Sequence, residues 1–202
     1  MNQLGLVRTT TVGAARVVSA EWENPACTLL VQLFQLESFR APEPLSSIRE
    51  TLAAFGAPLM GVERKAHCPL ETALVKGLRA AKSDGTLLRV LPVVLVRNRH
   101  RLDWVDLAER ARAEGLKAEL GLLLDLTGRL LNDEELRKRG QGLRDRRRTS
   151  MRYFPEPRNR YERQLAEASS PPVAKDWGFH MNMSENSFRS LLAESCPELT
   201  LA

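Results

Sequence analysis

Aromatic side chains make up only 5% of this 202-residue sequence, and cysteine occurs three times, at Cys27, Cys68 and Cys196. An odd, widely spaced set of cysteines excludes a disulfide framework and offers no paired zinc-ligand spacing, so a reducing cytoplasm is the simplest home. Long apolar runs are also missing. The longest, Leu87 to Val96, is broken by Arg89 and falls short of the ~20 residues that a membrane span needs. No basic segment followed by an apolar run opens the chain, so no signal peptide is expected.

The motifs of common catalytic sites are absent too: the phosphate-binding GxxxxGK[ST], the dinucleotide fingerprint GxGxxG, HExxH and GxSxG. His67 and Cys68 could supply a base and a nucleophile. Adjacent side chains do not face each other on a helix or strand, and no third group is at hand to orient the base. His100 among Arg97, Arg99 and Arg101 suits a solvated helix end, and His180 with Cys196 lacks the close spacing of zinc ligands. The clustered acids Asp133, Glu134 and Glu135 are placed as a helix N-terminus. No catalytic residue, metal or cofactor is assigned, and a non-enzymatic role is expected.

What the sequence has in quantity is aliphatic. Leu, Ala, Arg and Glu dominate, which predicts a mostly α fold. The densest stretch, Thr86 to Leu131, reads as three consecutive helices. Asp84-Gly85 is a turn, after which Thr86 is the expected N-cap of a helix that is apolar on nearly all sides and carries Pro92 inside it. A short strand over Val93 to Arg97 is the competing reading, because β-branched runs of this length are ambiguous by periodicity. Asp103 then caps a helix bearing Trp104, Leu107, Ala108 and Ala111, which Gly115 stops. The third helix spans Leu116 to Leu131, and Asn132-Asp133 ends it and caps the next.

The segment from Asp103 through Glu119-Leu120-Gly121-Leu122-Leu123-Leu124-Asp125-Leu126 resembles, over about thirty residues, the end of the C-terminal helical region of type IV abortive-infection antitoxins. That resemblance implies the neutralising half of a two-component bacterial system. It transfers no functional residue, and the winged helix of that family is not legible in this N-terminus.

Four regions are expected: an N-terminal arm (1–41), a compact helical body (45–143), an arginine-rich segment and linker (144–172), and an extended C-terminal arm (173–202) ending in a short helix. In the N-terminal arm, Val7 to Val18 favours an extended segment or hairpin, and Cys27 to Phe34 reads as either strand or short helix. Within the body, Ser47 with Glu50 makes a capping-box signature. Pro69 suits the first position of a helix carrying Leu70, Leu74, Leu78 and Ala81.

Two clusters are candidates for binding. Between Arg137 and Arg163, eleven basic residues face three acids, a net of about +8 in a chain whose total is +5. The candidates there are Arg137, Lys138, Arg139, Arg144, Arg146, Arg147, Arg148, Arg152, Arg158, Arg160 and Arg163, with Tyr153, Phe154 and Tyr161 interleaved. Guanidinium groups suit phosphates and the aromatics suit unpaired bases, so nucleic acid is one expected partner and an acidic protein another. A solvated or internally paired set is the plain structural reading. In the second cluster Trp177, Phe179, Met181 and Met183 alternate at period two, so one face of an extended segment is apolar. It reads either as a strap that docks a protein partner or as an arm returning over its own core. A protein-binding or regulatory subunit is the preferred expectation, and a nucleic-acid-binding protein acting through Arg137 to Arg163 is the alternative. The oligomeric state is not legible.

Overall fold

The computed structural model describes residues 7–12, 15–20, 24–26, 29, 44–144 and 150–198. The chain divides into two compact units, Met1–Glu43 and Pro44–Ala202.

The first unit contains an antiparallel pair, β1 (Val7–Val12) and β2 (Ala15–Ala20), with Val7 opposite Ala20 and Val12 opposite Ala15. The Thr- and Val-rich run therefore forms the hairpin that its β-branched content predicts. Apart from Leu29, the run 27–34 lies outside the described residues.

The second unit is helical. Its elements are α1 (Leu45–Ala54), α2 (Leu70–Ala80), α3 (Gly85–Asn98), α4 (Trp104–Ala113), α5 (Lys117–Leu130), α6 (Glu134–Gly142), β3 (Arg152–Tyr153), α7 (Arg160–Ser169), α8 (Pro172–Asp176), β4 (Phe179–His180) and α9 (Glu185–Ser195). Two buried helices in contact with each other, α3 and α5, organise it. Helices α2 and α9 pack on α3, while α4, α6 and α8 pack on α5.

The stretch Leu87 to Val96 is helix rather than strand, and all its residues except Arg89 are buried. Pro92 sits inside it, where it can donate no N–H to the preceding turn. The cap is Asp84 and not Thr86: the Asp84 carboxylate accepts from the Thr86 N–H at 2.9 Å. Asp84 is also tied to Arg49 at 2.6 Å, so this one side chain fastens the start of α3 to α1. Burial pushes its carboxyl up, but the Arg49 hydrogen bond, the backbone N–H groups of Thr86 and Leu87 and the Arg49 charge together hold it below the ordinary value.

Asp103 and Asp133 cap α4 and α6 as expected, and Gly115 and Asn132 adopt the positive φ that ends the helices before them. The Ser47–Glu50 capping box does not form. Helix α1 starts earlier, at Leu45, after Pro44; Ser47 lies in its first turn, and Glu50 instead reaches His67 at 2.8 Å. Pro69 is the residue before α2 rather than its first.

The close seam between α5 and α6 depends on missing side chains. A Cβ on Gly140 would stand 2.9 Å from both the Asp125 nitrogen and the Gly121 carbonyl oxygen. Backbone can approach backbone here only because neither glycine carries a side chain.

The unit does not stop at Leu143. Residues expected as a linker and an extended arm are packed on the helical body. Ser170 is buried, and its hydroxyl accepts from the Met181 N–H at 2.7 Å, so the Ser-Ser-Pro-Pro stretch is a fixed corner rather than a loose link. Beyond it, β4 pairs in parallel with β3, and Phe188, Leu191, Leu192 and Cys196 of the final helix and its end join the same core. Among the described residues, no helix is long and apolar enough to cross a membrane.

Candidate functional site

The second binding cluster lies where a partner cannot reach most of it. Trp177, Phe179 and Met181 are buried in the core of their own unit, and Met183 is half-buried against it. The period-two reading is right for Phe179 and Met181, which are both buried on either side of the half-buried His180. Trp177 belongs instead to the end of α8, with its ring over Gly121 and its Nε1–H donating to Asp125 at 2.9 Å. Three of the four residues expected to dock a partner, Trp177, Phe179 and Met181, are thus enclosed by their own unit, as the reading of a returning arm has it, while Met183 keeps part of its surface.

The basic segment separates into two groups that its sequence does not distinguish. The first is built into the fold. Arg137 stands 4.0 Å from the buried Asp125, and Arg139 pairs with Glu135 at 2.5 Å and lies over the Trp104 ring. Lys138 pairs with Glu134 one turn away, across exposed surface. Arg144 donates to the Asp176 carbonyl at 2.5 Å and lies near the Trp177 ring. Arg152 reaches Glu119 at 3.2 Å and stacks on Phe179.

Glu119 is only 1% exposed. A carboxylate so deep needs cations beside it, and Arg152 together with Lys82 at 3.7 Å supplies them. The aromatic partner of the segment, Phe154, is wholly buried against Phe179. Arg146, Arg147 and Arg148 lie outside the described residues.

The second group sits on and just before α7. Asn159 caps this helix by accepting from the Glu162 N–H at 2.8 Å, and the Glu162 carboxylate in turn accepts from the Arg158 N–H at 2.7 Å. Asn159 thereby meets one orphan donor of the helix, and Glu162 ties the residue before the cap back to the first turn. Only Ala166 of α7 is buried. Tyr161 is 71% exposed and Leu165 39%, and their spacing of four places them on one stripe of the helix.

Arg158, Arg160 and Arg163 border that stripe around a surface depression lined also by Pro157, Asn159, Gln164 and Glu167. None of the three guanidinium groups has a carboxylate partner among the described residues. Arg158 donates to the Ser83 carbonyl at 3.3 Å, and Arg163 lies 5.8 Å from the centre of the Tyr153 ring. Glu167 is occupied by the Tyr153 hydroxyl, a hydrogen bond that raises the phenol's pKa above its ordinary value. Tyr153 also leans on His180 at 5.3 Å, so it joins α7 to the β3–β4 pair.

Helix α7 is thus held by a small buried residue, a capping pair and Tyr153, with its large apolar and cationic side chains turned outward. The expectations had no helix here, because a helix with one buried residue shows almost no apolar periodicity. The signal that could have found it is the Asn159-x-x-Glu162 spacing. Among the described residues no group of three His, Cys, Asp or Glu is placed to hold a metal ion. No family model matches this chain, and no curated protein or solved structure matches it either.

Proposed function

We propose that this chain is a non-enzymatic protein-binding subunit, the regulatory member of a bacterial multi-component system, and that it engages its partner through the outer face of α7. The observation that carries this reading is the exposure of Tyr161 and Leu165 one turn apart on a fixed helix, beside arginines. Tyr and Arg are the residues that most often dominate binding energy at protein interfaces. Covering a leucine fully contributes about 1.5–3 kcal/mol, part of which offsets the cost of association.

The resemblance to abortive-infection antitoxins supports the regulatory part of the proposal. It rests on the run Glu119 to Leu126, which is buried throughout in α5, so it speaks for a shared helical core and not for a shared surface. The buried thiol of Cys196 accords with a cytoplasmic setting. A nucleic-acid role for the whole of Arg137 to Arg163 draws less support, since Arg139 and Arg152 pair with carboxylates of the fold.

The test is site-directed photo-crosslinking in the native host, with a photoreactive phenylalanine in place of Tyr161 and, as a control, of Val105 on α4, which is equally open at 68%. A discrete protein adduct at 161 and none at 105, reproduced with the purified components, is the expected result. No adduct at 161, or identical adducts at both positions, overturns the proposal.

A further inference from the structure

The face of α7 has a second property beyond its exposed apolar stripe, and the inference drawn from it rests on the reading that this face docks a protein. On one flank stand Tyr161 and Leu165; on the other stand Arg160 and Arg163, with Arg158 just before the helix. Elsewhere in the unit some exposed arginines are answered one helical turn away or from a neighbouring helix, Arg110 by Asp106, Arg139 by Glu135 and Arg79 by Glu114, while others, such as Arg89 and Arg112, have no ion pair among the described residues. The α7 arginines are not answered in this way. The two acids within their stretch already carry donors, Glu162 from the Arg158 backbone and Glu167 from the Tyr153 hydroxyl. Those donors are neutral and leave both carboxylates charged, so three arginines against two acids give this face a surplus of one positive charge.

We infer that the surface docking on α7 is an acidic protein surface, with an apolar patch that covers Tyr161 and Leu165 and a border of carboxylates that pair with Arg160 and Arg163. Guanidinium matches carboxylate with two parallel N–H bonds, and such a border fixes both the orientation and the rate of docking. A polyanion of phosphates would satisfy the arginines equally well. It would leave Leu165 against charged backbone. The apolar stripe decides in favour of protein.

The experiment uses the full-length chain and the protein captured at position 161, both purified, with affinity measured by calorimetry between about 50 and 500 mM salt, a range over which exposed charges become screened. The variants are Arg160→Glu, Arg160→Glu with Arg163→Glu, and Tyr161→Ala with Leu165→Ala. The Arg160 side chain has no hydrogen bond or ion pair among the described residues, so its single variant is expected to keep the fold even where the double one disturbs the Tyr153 contact.

The wild type is expected to weaken steadily with salt. The double reversal is expected to bind about tenfold or more weakly at low salt and to lose most of that salt dependence, with the single reversal between. The apolar variant is expected to weaken at every salt concentration while keeping the dependence. A salt-independent affinity, or reversals without effect while the apolar variant loses binding, overturns the acidic partner and leaves the docking face standing. A captured species that proves to be RNA or DNA, or no captured species at all, overturns both.

Discussion

Trp177 donates its indole N–H to the buried Asp125 at 2.9 Å while its ring rests where a side chain on Gly121 would be. Residues far apart in the chain thus meet at one point on α5. Asp125 accepts here from Arg129 as well, so its charge is balanced from within its own helix as the indole arrives. The C-terminal segment is fastened to the core by this contact and by the Arg152–Glu119 pair.

Gly121→Ala tests that seating directly. The added Cβ would stand 2.3 Å from the Trp177 ring, so either the indole leaves or α5 shifts. A loss of about 1–3 kcal/mol is expected in denaturant unfolding, together with a red shift of tryptophan emission as the indole meets water. Trp177→Phe should retain much of the packing and lose about 1–3 kcal/mol with the hydrogen bond to the charged Asp125, which keeps Arg129 as its partner. Unchanged midpoints for both variants would show that the contact does not hold the segment.

Acid sensitivity should trace in part to Asp84. Its folded carboxyl lies below its ordinary value of 3.8, so its stabilising effect is complete above that value and is lost as pH falls through it toward the lower folded value. Asp84→Asn keeps a capping oxygen and removes the charge that Arg49 binds. The gap in melting temperature between wild type and variant should be constant near neutrality and close as pH falls below about 4. A gap that stays constant through the acid range would assign the effect of the substitution to packing alone.

Truncation before Pro171 should not yield a soluble body. It removes Trp177, Phe179, Met181, Phe188, Leu191, Leu192 and Cys196 from the core, and it uncovers their neighbours on α3 and α5. Contiguous apolar surface of that kind drives association. Aggregation on expression, or strong binding of a hydrophobic dye by whatever stays soluble, is expected. A monomeric, cooperatively melting truncation would contradict the packing described.

What the sequence determined by itself was local. Asp103, Asp133, Gly115 and Asn132 set helix limits through hydrogen bonds and φ preferences confined to a few neighbouring residues, so four successive helices could be read within a residue or two. The burial of the run from Leu87 to Val96 on both sides of Arg89 followed from aliphatic density. Only the tertiary structure decided what the side chains between helices meet. Arg152 and Arg160 are the same residue type in the same basic run, yet one pairs with Glu119, 33 residues away, and the other faces outward. Phe179 and Met181 alternate in the same way whether a partner or the chain's own core covers them. Charge and period state that a side chain needs a neighbour; which neighbour it has is set by long-range packing, because that depends on distances no local pattern encodes.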